Sequence, residues 1–383
     1  MRWRRVGVGM LGTAGTLLAL VTFGGGFVYA GQLLPAPSRE RMLDITATLT
    51  DRGTVLLPPD RRACLARFGL LLADDAFLVY SGPVVNGSCA DPTAATAVER
   101  TIEMVINGEP VIGQEIPARF DEYVFSVDPA DVGVDFTEIA VPLDGLPSAP
   151  AWLVQGNDDY VIMVHGRSAT RAETLRVLPR VAEQGYSIMA ITYRNDMAGA
   201  PNTEDSIGRF GQTEWQDLAA AVGVARQRGA SRIVLMGFSQ GGSLIGYYLR
   251  NLGEDDIDGV VLDSPLLSLS STLVQQARRR GIPAPLVPPI LLGTRIVAGV
   301  RAGLDIADVE HVDTLATTTV PLLLIHGDAD DFVPVGATDE LASRRPDNLT
   351  YQRIPGAGHV EGWNTDQARY LDAVQQFLSQ VLN

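Results

Sequence analysis

The sequence predicts an α/β protein: a mostly parallel sheet with helices on both faces, preceded by a small β-rich unit and an apolar N-terminal segment. Three observations lead there. From about residue 134 onward, apolar strands alternate with helices that end on glycine, the pattern of a sheet buried on both faces. From about Asp44 to Asp135 the runs are short and rich in β-branched residues, broken by Gly, Pro, Asn and Asp. Ahead of both, no charge appears between Arg5 and Arg39.

The bulk numbers agree. A chain of 383 residues exceeds one ordinary core, so about two folded units are expected. With 46% hydrophobic and 20% charged residues the composition is globular. A net charge of −15 speaks against nucleic acid as a partner, because phosphate binding needs a basic footprint.

Taking the chain in order, "MRWRR" (1–5) reads as a cytoplasmic tail and residues 6–30 as a transmembrane signal-anchor helix. About twenty apolar residues cross a bilayer, and arginines hold their end in the cytoplasm, which puts the rest outside. The rival is a cleaved signal peptide with Val28 and Ala30 before the cut, giving a secreted protein, although its apolar region would be unusually long. Residues 31–43, with Pro35 and Pro37, form a linker. The β-rich accessory region spans 44–133, with strands at "DITATLT", "GTVLLP", "FLVYSGPVV", "TIEMVI" and "EYVFSV" and some helical character at "PTAATAVERTI". It carries no motif tied to chemistry. Its Cys64 and Cys89 are the only cysteines, and in an oxidising compartment they are expected to form a disulfide. Two cysteines and four scattered histidines fit neither thiol nor metal chemistry, and no cofactor is implied.

In the 134–383 unit, "TEIAVPL", "APAWLVQ" and "DYVIMVHG" open the sheet, the start being antiparallel. Helices at "RAETLRVLPRVAEQG", "TEWQDLAAAVGVARQRG" and "GSLIGYYLRNLG" alternate with strands "YSIMAITY", "RIVLMGF" and "IDGVVLDSP". "VPLLLIHGDAD" and a final helix "DQARYLDAVQQFLSQVL" close the chain. Ligands of such sheets bind at the carboxyl ends of the strands.

Every candidate catalytic residue falls at such an end. Gly237-Phe238-Ser239-Gln240-Gly241 is a G-x-S-x-G sequence between a strand and a helix. The serine occupies a strained turn whose flanking positions must be glycine, as in a nucleophile elbow. A serine hydroxyl needs a base, and in the order Ser…Asp…His only His359 of "IPGAGHVEGW" follows every plausible acid. His165 and His326 read as structural, and His311 as a surface residue. For the acid, Asp328, Asp330 and Asp331 of "HGDADD" and Asp263 of "VVLDSP" all qualify, and spacing alone does not choose.

With these motifs the chain, from about residue 134 to its end, resembles the α/β-hydrolase superfamily. The likeness is to bacterial serine esterases and to dipeptidyl-peptidase-like and thioesterase-like members, and rests on "VIMVHG", "ITYRND", "GFSQGG", "HGDADDFVP" and "GAGH". The resemblance implies the α/β-hydrolase fold, with Ser239 as nucleophile, Asp330 as acid, His359 as base and Asp263 as the alternative acid. One oxyanion-hole donor is expected at the backbone N–H of Gln240, where a helix start also favours negative charge. The resemblance places the second at Arg167, whose loop lacks an HGGG run. The Arg167 and Ser168 side chains are alternatively selectors of an acidic or polar substrate group, or Arg167 is an exposed loop cation.

Residues 264–318 are too long for a plain loop and read as a cap-like insertion of two helices around "IPAPLVPP", with Arg278-Arg279-Arg280 a solvated helix end or a contact to anionic lipid. The function expected is a membrane-anchored, extracytoplasmic serine hydrolase that cleaves a small-molecule carboxylic ester through an acyl-enzyme. The alternatives are a peptidase, amidase or thioesterase using the same triad, and a catalytically silent binding protein of this fold.

Overall fold

The computed structural model describes residues 19–35, 43–73, 76–88, 97–106, 108–109, 111–123, 128–196, 199–345 and 347–382. The accessory region is a closed antiparallel barrel of six strands: β1 (Ile45–Leu49), β2 (Thr54–Leu57), β3 (Arg67–Leu72), β4 (Phe77–Asn86), β5 (Val98–Ile106) and β6 (Glu115–Asp121), in the order β1-β2-β5-β4-β3-β6. Closure leaves no free sheet edge. Strands β3 and β4 are apolar on both faces for a reason. Phe68, Leu70, Leu72, Leu78 and Tyr80 fill the barrel, whereas Leu71, Phe77 and Val79 point outward into the core of the second unit. The barrel is thus bolted to its neighbour through a shared apolar layer.

The second unit is an eight-stranded sheet: β7 (Thr137–Leu143), β8 (Leu146–Val154), β9 (Asp159–Val164), β10 (Ser187–Ile191), β11 (Arg232–Phe238), β12 (Gly259–Asp263), β13 (Leu322–Gly327) and β14 (Leu349–Ile354). Its order is β14-β13-β12-β11-β9-β10-β8-β7, parallel from β10 through β14 and antiparallel at β8 and β7. The helices are α1 (Gly26–Leu33), α2 (Leu178–Ala182), α3 (Trp215–Gln227), α4 (Gln240–Leu252), α5 (Leu269–Arg279), α6 (Val287–Ala302), α7 (Val312–Thr317), α8 (Gly336–Arg344), α9 (Gly362–Thr365) and α10 (Gln367–Leu382). The glycines expected to stop helices do so at Gly229 and Gly253, with φ of 95° and 80° that glycine alone adopts at little cost. This is the α/β-hydrolase arrangement.

Several expectations differ from what is observed. The helical character at "PTAATAVERTI" is not seen in its described part, because Val98 onward is strand β5, paired on both sides within the barrel. Residues 124–127 of "EYVFSV" and Cys89 lie outside the described residues. Cys64 is disulfide-bonded, not a free thiol. Strands β3, β6 and β14 were not expected. His311 is not on the surface: it is fully buried under α4, its Nε2 2.8 Å from Ser243 Oγ. Burial, with the nearby Arg250 charge, pushes its imidazole down to about 3.

The N-terminal segment differs most. Its first part, 1–18, lies outside the described residues, and among the described residues no helix is long and apolar enough to cross a membrane. The described part does not stop at Ala30. A turn of π-helix (Leu20–Gly25) runs into α1, and α1 continues to Leu33 while packing against the cap. Gly26 and Gly293 of α6 make that approach possible. A Cβ on Gly26 would lie 2.4 Å from the Gly293 carbonyl carbon, and one on Gly293 would lie 1.7 Å from Thr22 O. Tyr29, Ala30 and Leu34 are buried in this seam with Leu269, Leu273 and Ala298. Burying a side chain of that size contributes about 1.5–3 kcal/mol.

Candidate active site

The site forms where β11 meets α4. Ser239 sits at φ 48°, ψ −111°, a strained backbone for a non-glycine residue. The flanking glycines are required by contact: a Cβ on Gly237 would lie 2.7 Å from the Gly241 carbonyl carbon, and one on Gly241 2.1 Å from Val164 O. The turn therefore pushes the hydroxyl clear of the sheet.

His359, in the loop between β14 and α9, brings Nε2 to 2.9 Å from Ser239 Oγ. Its Nδ1 lies 2.8 Å from Asp330 Oδ2, so the carboxylate accepts from Nδ1–H and leaves Nε2 free to accept the serine proton. Asp330 is itself pinned. Its Oδ1 accepts from the backbone N–H groups of Phe332 (2.9 Å) and Val333 (2.8 Å). Its Oδ2 also lies 3.1 Å from Nε2 of buried His326, whose Nδ1 faces Thr338 Oγ1 at 2.8 Å. Burial would raise the Asp330 carboxyl, but the His359 charge and the two imidazole hydrogen bonds outweigh it and hold the group well below the carboxylate range. For His359, burial works downward and the Asp330 charge and hydrogen bond upward; the net is an imidazole raised above its ordinary value.

Asp263, the alternative acid, is not joined to His359. Its oxygens accept from Ser264 Oγ (3.0 Å) and Tyr370 Oη (3.0 Å), and burial pushes its carboxyl up. Ser264 Oγ in turn accepts from the Val360 N–H at 3.1 Å, so Asp263 braces the chain one residue past the base. Buried Arg176 grips the same point, donating to Val360 O at 2.6 Å. Sequence reasoning missed Arg176 and the Asp330 contact of His326. The i, i+4 spacing of His326 and Asp330 across a strand end was the available signal.

Arg167 departs from both side-chain expectations. Its guanidinium is neither exposed nor aimed at a substrate anion: it donates at 2.7 Å to Leu33 O and at 2.7 Å to Pro35 O, and stacks 4.5 Å from the Phe210 ring centre. It clasps the carboxyl end of α1. Its backbone adjoins the nucleophile, since a Cβ on neighbouring Gly166 would lie 3.0 Å from Ser239 Cβ. Arg167, Ser239 and Gln240 share one cavity wall.

Two spaces open from Ser239. One is an apolar cavity of about 160 Å³ with Tyr29 and Leu33 of α1 on one side, Leu269 and Leu273 of the cap on another, and Phe210 and Val333 completing it. The other is a polar cleft of about 620 Å³ between His359 and the barrel, where Arg61, Arg62, Glu122 and Tyr123 face Arg279, Asp331 and Glu361. Buried Arg100 holds this barrel end in place by donating to the carbonyls of Leu65 (2.7 Å) and Gly82 (2.6 Å). The accessory region, silent in sequence, is half of the cleft. Among the described residues no cluster of metal-ligating side chains is present.

A hydroxyl, an imidazole and a carboxylate linked in this way, on a strained strand–helix turn of this sheet, define the class of α/β hydrolases. A family model described as "Alpha/beta hydrolase family" matches residues 161–373, more than half of the chain, and the protein belongs to that family. The Bacillus subtilis protein YqkD is 21% identical over 66% of this chain and 83% of its own length. YfhR of Escherichia coli O157:H7 is 24% identical over 58% of this chain and 71% of its own. A solved Pyrococcus furiosus esterase shares the fold with a TM-score of 0.54 at 21% identity, covering 67% of this chain and 95% of that one.

Proposed function

We propose that this hydrolase cleaves carboxylic esters through an acyl-enzyme on Ser239. The observation that carries the reading is the unbroken relay from Asp330 through His359 to Ser239 Oγ, 2.8 Å and 2.9 Å long. His359 takes the hydroxyl proton as Oγ attacks the acyl carbon. The backbone N–H groups of Gln240 and Arg167 receive the oxyanion; His359 then protonates the departing alcohol and activates the water that frees Ser239. The apolar cavity is smaller than the ~300–1,000 Å³ of drug-sized sites, which suits a short acyl group, and the polar cleft suits the alcohol.

The same reading places the protein at the cell membrane, held by its N-terminal apolar segment with the catalytic unit outside and Cys64 paired with Cys89. The buried position of Ala30 inside α1 supports an uncleaved segment, since removing residues up to Ala30 would take Tyr29 from the cavity wall. The test is hydrolysis of a p-nitrophenyl ester series beside aminoacyl p-nitroanilides. Esters of short acids should turn over, and Ser239→Ala should cut the rate by about 10⁶-fold. Faster cleavage of the anilides would make the protein an amidase, and full activity in Ser239→Ala would remove the mechanism.

A further inference from the structure

The chain as a whole is acidic, but the cap is not. Between Ser264 and Leu304 its charged residues are five arginines, without one Asp or Glu, in a protein of net charge −15. All five are exposed, and among the described residues only Arg279 is paired with an acid, Asp331 at 3.1 Å. Arg301 lies over the Phe27 ring, 5.3 Å from its centre, and Arg280 donates to Tyr29 Oη at 3.0 Å.

On α6, Leu292, Ile296 and Val300 recur every fourth residue, which puts them in one stripe. They are 55%, 42% and 83% exposed. The opposite side of α6, through Gly293, Thr294 and Ala298, is buried against the N-terminal helix. That helix in turn exposes Leu20, Phe23 and Phe27, each more than half open to solvent. Two helices in backbone contact therefore present large apolar side chains outward, with Arg295 and Arg301 exposed on α6 itself. Among the described residues no cluster takes up those side chains. An apolar helix face that carries exposed Arg295 and Arg301 on the same helix has the composition of an element that lies in a lipid interface, with the basic side chains reaching the headgroups.

We propose that α6 of the cap docks, with α1, into the surface of an anionic lipid bilayer, so that Leu292, Ile296 and Val300 sit among the acyl chains. Charge selects this occupant. The patch is locally basic on an acidic protein, which would be repelled by an anionic membrane on its other faces. Continuity selects it too, because the uncharged run that starts at Val6 leads directly into the same pair of helices. The proposal extends the membrane placement above and is independent of the ester reading. It makes the cap, not the N-terminal segment alone, the element that sets the catalytic unit against the bilayer, with the basic ends of α5 and α6 at headgroup level.

The full-length protein, bearing a single environment-sensitive fluorophore on Val300→Cys or Ile296→Cys, is reconstituted into phosphatidylglycerol vesicles whose acyl chains carry bromine. Phe27→Cys reports the N-terminal helix, and Leu252→Cys, at the exposed end of α4, the far surface. Emission at 296 and 300 should fall by more than half, emission at 252 should not change, and quenching at 296 and 300 should weaken in phosphatidylcholine. Hydrolysis of a soluble ester by Val300→Cys should match the parent. Quenching at 27 without quenching at 296 and 300 would overturn the proposal while leaving the anchor intact. An unquenched label at 27 as well would overturn the membrane placement itself. Emission at 300 that is already shielded in lipid-free micelles, and more so at higher protein concentration, would assign the face to a second copy of the chain and likewise overturn the proposal.

Discussion

The two sides of Ser239 are built by different parts of the chain. On the side proposed for the acyl group, α1 and the cap close a small apolar cavity with Tyr29, Leu33, Leu269 and Leu273. On the side proposed for the alcohol the barrel supplies Arg61, Arg62, Glu122 and Tyr123 to a cleft about four times larger and rich in charge. Neither side supplies a triad residue; those come from the ends of β11 and β13 and the loop after β14. The division teaches that the linked hydroxyl, imidazole and carboxylate are held by the sheet, whereas the walls around them come from two additions in different parts of the chain. Each can therefore be perturbed alone.

The largest effect should come from the triad, which belongs to neither side. Asp330→Asn should lower kcat by about 10⁴-fold, the loss seen when an imidazole is left in the wrong tautomer. Asp263→Asn should cost far less, because among the described residues that carboxyl accepts only from Ser264 and Tyr370 and is not joined to His359. The pH profile separates the two further. Catalysis needs neutral His359, and the folded protein holds this imidazole above 6.5. The acid limb of kcat/KM should therefore lie above 6.5 in the parent, with activity lost as pH falls through it. In Asp330→Asn the Coulombic and hydrogen-bond support is gone while burial remains, so the limb should move down. In Asp263→Asn it should move little. A larger loss in Asp263→Asn than in Asp330→Asn would reassign the acid.

A middle-sized effect is expected from the acyl wall. Leu33→Ala lengthens the cavity at its α1 side, and one or two methylenes of fit change selectivity by roughly 10–200-fold. The ratio of kcat/KM for longer over shorter p-nitrophenyl esters should rise by about ten-fold, with the alcohol preference unchanged. An unchanged chain-length profile would place the acyl group elsewhere. The smallest effect should come from the barrel. Arg61→Gln breaks the Arg61–Glu361 ion pair and the 3.3 Å hydrogen bond to Gly356 O. Since half-exposed ion pairs contribute little, stability should change by under about 1 kcal/mol. KM for esters of large polar alcohols should rise a few-fold while p-nitrophenyl esters are unaffected. An equal change for both alcohols would merge the two sides into one.

How much of this was legible beforehand follows the same division. The strand–turn–helix around Ser239 could be read because its glycines answer a local steric demand, and Gly237 and Gly241 meet backbone atoms where a Cβ would stand. His359 was reached by chain order. The acid was not settled by spacing, since Asp328, Asp330 and Asp331 share one turn and only folded contacts with Phe332 N, Val333 N and His326 single out Asp330. The selective walls were invisible for a different reason. Tyr29 and Leu33 line the cavity at Ser239 on a helix that Gly26 and Gly293 bring against distant α6, and the side-chain role of Arg167 was hidden because its partners, the carbonyls of Leu33 and Pro35, lie over 130 positions away. The same long range hid β3 of the barrel, whose doubly apolar pattern makes sense only once the barrel is seen to pack on the sheet.

The central claim is that Ser239 carries the acyl group, and covalent trapping tests it most directly. The native protein should be treated with a fluorophosphonate, digested, and its peptides weighed by mass spectrometry. The account predicts one stoichiometric adduct, on the peptide containing Ser239, suppressed by a competing short-chain ester and absent in His359→Gln. An adduct on another residue, or ester hydrolysis that continues at full rate with Ser239 unmodified, would contradict it.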